Sequence, residues 1–79
     1  MATKLDLKTT ILKQLNILDK MPQSFKKYDD RSLYNETVDK LKILLSMIDT
    51  IDTSFYTKLE KDLKEIDQTI VTLSKAEQD

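Results

Sequence analysis

The chain contains no cysteine, no histidine, no glycine and no tryptophan, and it has one proline, Pro22. Each absence removes a class of protein. Without Cys there is no disulfide framework, and without Cys or His there is no zinc site of the usual kind. Without Gly the phosphate-cradling loops fail, because backbone amides cannot approach a phosphate closely enough. An EF-hand loop fails for the same reason, lacking its central Gly. Tight β-hairpins favour Asn-Gly or Asp-Gly turns, and neither pair occurs. General acid–base catalysis is left to carboxylates tuned by burial. A Ser or Thr nucleophile has no activating base beside it. Asp49 and Asp52 lie three apart and share a helix face, but no other part of a site accompanies them, so they read as turn or cap residues. The expectation is a protein that is not an enzyme and has no metal and no cofactor.

Long apolar runs are missing too. The longest is Ile43-Leu44-Leu45, far short of a bilayer span. No secretory signal is recognisable, and the lack of Cys fits a cytoplasmic location. Asn35-Glu36-Thr37 matches the glycosylation sequon, which in this context reads as chance.

What is present is Leu, Ile, Lys and Asp in quantity, with a net charge of −1. Plentiful Leu and Ile at low net charge argue against disorder. The charge is unevenly distributed. Residues 1–28 hold six lysines against Asp6 and Asp19, and residues 29–79 hold seven cations against twelve carboxylates. The simplest account is a basic first helix packed against an acidic remainder, and the alternative is a basic segment that meets an acidic partner. Phe25-Lys26-Lys27-Tyr28 joins two cations to two aromatics, but Asp29 and Asp30 follow at once. Nucleic-acid binding needs a sustained basic surface and is not expected. The first helix is amphipathic and basic, as interfacial anchors are, but it lacks aromatics and Asp6 and Asp19 interrupt it. Stable membrane insertion is not expected.

The remaining signal is periodicity. At 79 residues the chain is expected to form one domain, residues 1–79. Thr3 followed by Asp6 resembles a capping box and opens a first helix over residues 4–20. Leu7, Ile11, Leu15 and Leu18 form its apolar stripe, and Pro22 disfavours helical geometry at Met21 and ends it. A connection over 21–29 follows, from which Phe25 and Tyr28 fold onto the core. Asp29 caps a second helix over 30–51, with Tyr28 and Leu33 as a hydrophobic staple. Its stripe is Leu33, Tyr34, Val38, Leu41, Leu44, Leu45, Ile48 and Ile51. Asp52 caps a third helix over 53–76, with Ile51 and Tyr56 as its staple. Phe55, Leu59, Leu63, Ile66, Ile70 and Leu73 lie on its buried face. The pairs Glu60–Lys64 and Lys61–Glu65 have the spacing that supports a helix.

Two architectures satisfy this pattern. One is a small all-α three-helix bundle, in which Asp49 to Ser54 form a turn. The other is a helical hairpin with one long C-terminal helix that oligomerises. Stepped at about 100° per residue, the apolar stripe stays in phase from Leu33 to Leu73, which permits a helix of about 47 residues and about 70 Å. Asp52 separates the two, because a continuous helix places it inside the apolar stripe. The bundle is the leading expectation.

The functional expectation follows from what remains. It is a small helical interaction subunit or adaptor in a homo- or hetero-oligomeric assembly. Its partner is another protein or a second copy, met through apolar helix faces. The alternative is a small acidic protein, of inhibitor, immunity or chaperone type, that blocks its partner. The candidate partner-binding residues are the apolar ones that fall outside the stripes: Ile17, Ile43, Met47 and Val71.

Overall fold

The computed structural model describes residues 3–79 and is a three-helix bundle. Helix α1 spans Lys4–Lys20, α2 spans Tyr28–Met47 and α3 spans Tyr56–Ser74, with a short 3-10 turn, Thr53–Phe55, leading into α3. The helices run up, down and up, and α1 packs more extensively against each of the others than they do against each other. The molecule measures 42 × 19 × 18 Å. Its radius of gyration of 13.3 Å exceeds the ~11.6 Å of a compact globule of this length, so the bundle is elongated.

Helix α1 starts where the capping box places it. The Thr3 hydroxyl accepts from the Asp6 N–H, and the Asp6 carboxylate accepts from the Thr3 N–H, both at 3.2 Å. Two of the helix's four unpaired donors are thereby satisfied. The helix stops at Lys20 because Pro22 holds Met21 extended. Its buried face is Leu7, Ile11, Gln14 and Leu18, spaced four, three and four. The expected stripe had Leu15 in place of Gln14, but Leu15 is only half-buried at the flank.

The start of α2 differs from expectation. Lys27 is the N-cap, and no side chain caps the helix. Asp29 and Asp30 instead lie in its first turn, where carboxylates favour the positive end of the helix dipole. Tyr28 is 78% exposed, so the Tyr28–Leu33 staple does not form. Phe25 does fold inward and is fully buried, with its ring centroid 5.4 Å from that of Tyr34. The Tyr34 hydroxyl donates to the Leu18 carbonyl at 2.6 Å, tying α2 to the end of α1. Burial, with the charge of Asp19 adding to it, raises the Tyr34 phenol above its ordinary pKa. In the sequon, Thr37 is buried and its hydroxyl donates to the Leu33 carbonyl at 2.7 Å. That hydroxyl is committed inside a helix.

Helix α2 ends at Met47, four residues earlier than expected. The N–H groups of Thr50 and Ile51 both bond the Met47 carbonyl, closing the chain into a turn. Asp52 is extended, and its carboxylate accepts from the Ser54 N–H at 3.0 Å. That bond, first among its causes, holds the Asp52 carboxyl below its ordinary pKa. Asp52 therefore caps the 3-10 turn, and the single long helix does not form. Ile51 and Tyr56 both pack against the core. Phe55, expected on the buried face, is displaced outward by the 3-10 turn and is exposed.

Helix α3 buries Leu59, Leu63, Ile66, Ile70 and Leu73. It ends at Ser74 rather than 76, and the chain then doubles back. The Lys26 N–H donates to the Glu77 carbonyl at 3.0 Å, and the Asp79 N–H donates to the Ser24 carbonyl at 2.7 Å. This antiparallel bridge joins Phe25 to Gln78 at one end of the bundle. Among the described residues there is one ion pair, between the exposed Lys4 and Asp49 at 2.8 Å. The Glu60–Lys64 and Lys61–Glu65 pairs do not close. The Lys4 ammonium lowers the Asp49 carboxyl and is itself raised.

Candidate functional site

The surface that stands out is built by the turn between α2 and α3. Between the end of α2 at Met47 and the start of α3 lies a cleft of about 200 Å³. The partly or fully buried Leu44, Ile51 and Leu59 form its inner wall. Met47 and Phe55 flank it, and Lys58 and Asp62 close the α3 side. Ile43 lies one helical turn before Met47 on the same face of α2. Ile43, Met47 and Phe55 are 58%, 44% and 56% exposed. Exposed apolar side chains are ordinary when scattered, but here Met47 and Phe55 flank an apolar cleft with Ile43 a turn away, the arrangement that marks an interaction surface.

The four candidate residues are all exposed, but they do not meet at one place. Ile43 and Met47 sit at the end of the bundle where α2 turns into α3. Ile17 and Val71 lie near the far ends of α1 and α3, toward the opposite pole. Phe55 was missed because the stripe was counted helically through a segment that is not helical. Leu5 and Leu12 are also exposed, seven residues apart on the outer face of α1.

Other clefts are less apolar. One between α1 and α3, about 190 Å³, has Asp6, Glu60 and Asp67 on its rim with Lys64. Another, about 340 Å³, lies between α1 and α2 with Asn16, Asp19 and Lys42 beside Leu15, Tyr34 and Val38. All are shallow and open to solvent. Among the described residues no group of three or more carboxylates is placed to hold a metal ion. No described helix is long and apolar enough to cross a membrane.

The most deeply buried polar side chain among the described residues is Gln14, 2% exposed. Its Nε2 donates to the Leu63 carbonyl at 2.9 Å and to the Asp67 carboxylate at 2.8 Å. Both neighbours are acceptors, which fixes the orientation of the amide. The buried Oε1 finds no partner among the described residues. This contact sets the register of α1 against α3 and offers no group to a ligand.

Comparison with protein-family models, curated proteins and solved structures returned no match.

Proposed function

We propose that the protein is a helical interaction module that binds another polypeptide chain through the apolar surface between the end of α2 and the start of α3. The observation that carries this reading is the exposure of Met47 and Phe55 beside the Leu44–Ile51–Leu59 cleft, with the exposed Ile43 one turn away on α2. Leu5, Leu12, Ile17, Tyr28 and Val71 are exposed elsewhere on the bundle, but Met47 and Phe55 flank one apolar cleft with Ile43 a turn away, and burying them needs a second molecule. The module then acts as a subunit or adaptor in a homo- or hetero-oligomeric assembly.

The test is site-directed photo-crosslinking in the source cells, with the reactive side chain placed at Phe55 and, as a control, at Tyr28 at the opposite pole. A discrete adduct from position 55 alone supports the reading, and equal labelling from both positions refutes it. Salt dependence separates this reading from that of an acidic blocking protein. Apolar docking holds its association rate as ionic strength rises, whereas an electrostatic blocker loses it steeply.

A further inference from the structure

The occupant of that surface can be narrowed by its shape and charge. We infer that it is a second copy of this chain, docked about a two-fold axis so that Phe55 of each copy enters the cleft of the other. This rests on the reading of the α2–α3 surface as the binding face.

A two-fold interface uses one patch twice, so the patch must complement itself. This one carries a knob and a hole side by side. The exposed Phe55 ring is the knob, and the cleft beside it, about 200 Å³, is the hole. The patch also carries both signs of charge, with Lys58 and Asp62 one turn apart on the same side of the cleft. Under a two-fold axis running between them, Lys58 of one copy faces Asp62 of the other, and the pair occurs twice.

The experiment is sedimentation velocity and native mass spectrometry of the full chain over a wide concentration range. The wild type is compared with Phe55→Asp, Lys58→Glu and Asp62→Lys. The altered residues are exposed or at the cleft rim, and circular dichroism verifies that each variant keeps its helices. The wild type is expected to dimerise, and Phe55→Asp to weaken the dimer more than about a hundredfold. Each charge reversal alone sets like charges against each other twice and weakens it about five- to tenfold. Mixing Lys58→Glu with Asp62→Lys chains restores affinity as a heterodimer, which a merely structural role for these residues does not produce. A wild type that stays monomeric throughout overturns the self-docking. If that monomer still gives the Phe55-dependent crosslink to a foreign chain, only the choice of occupant was wrong. A dimer that ignores Phe55→Asp and both charge reversals overturns the self-docking and the assignment of the binding face together.

Discussion

Replacing Gln14 with Glu alters almost no volume and inverts the chemistry of the α1–α3 seam. In the native chain the amide Nε2 supplies the two hydrogens that the Leu63 carbonyl and the Asp67 carboxylate accept. A Glu carboxylate supplies none and brings a second negative charge within hydrogen-bond distance of Asp67. Leaving a buried charge uncompensated costs about 3–5 kcal/mol. A domain of this length is stable by only about 4–12 kcal/mol, so Gln14→Glu removes a large share at about pH 7. The group escapes by binding a proton, so its folded-state pKa rises above the ~4.3 of an unfolded Glu. Between those two values the folded state holds more protons than the unfolded one, and stability falls as pH rises. The expected profile is near-native stability in mild acid and a steep loss toward neutrality that the wild type does not share. Urea titrations followed by far-UV circular dichroism across that range measure it. Gln14→Leu is the control. It removes the partnerless Oε1 together with both hydrogen bonds and is expected to cost about 1–3 kcal/mol, without the dependence on pH. A Gln14→Glu variant as stable as the wild type at neutral pH, with a flat profile, would refute the reasoning.

Phe25→Ala is expected to lower stability by about 3–5 kcal/mol, read as a reduced urea midpoint, because the ring is fully buried between the C-terminal bridge and Tyr34. Tyr34→Phe removes only the 2.6 Å bond to the Leu18 carbonyl and is expected to cost about 1 kcal/mol in the same titration. Lys4→Gln is expected to return the depressed Asp49 carboxyl toward its ordinary value by NMR titration. The depressed carboxyl contributes stability above its unfolded pKa, and this is lost as pH falls through the folded value. Both partners are exposed, so Lys4→Gln is expected to leave the melting temperature nearly unchanged at neutral pH.

Much of the fold was legible because its punctuation is local. Thr3, Asp6 and Pro22 bound α1 through contacts within a few residues, and Asp52 marks the turn because a carboxylate has no place inside an apolar stripe. What escaped depends on distant parts of the chain. Gln14 has the right phase for burial, but its residue type hides it until Leu63 and Asp67 are known to lie opposite. Burial of Phe25 beneath the returning C-terminal residues depends on a pairing across more than fifty positions. Of the candidate surface, Ile43 and Met47 were legible as apolar residues off the stripe. Phe55 was not, because counting at helical period through Thr53–Phe55 returns it to the core.

The phase of the stripe has a further consequence. Tyr34, Leu41, Ile48, Leu59, Leu63, Ile66, Ile70 and Leu73 are all buried, and they lie within about 60° of one direction when stepped straight through the turn. The bend therefore shifts none of them off the buried face. The pattern that says what is buried is thus written separately from the few residues that say where the chain folds back. Helix-favouring changes confined to Asp49–Ser54 are expected to exchange the 42 Å bundle for a rod of about 70 Å without substituting any core residue.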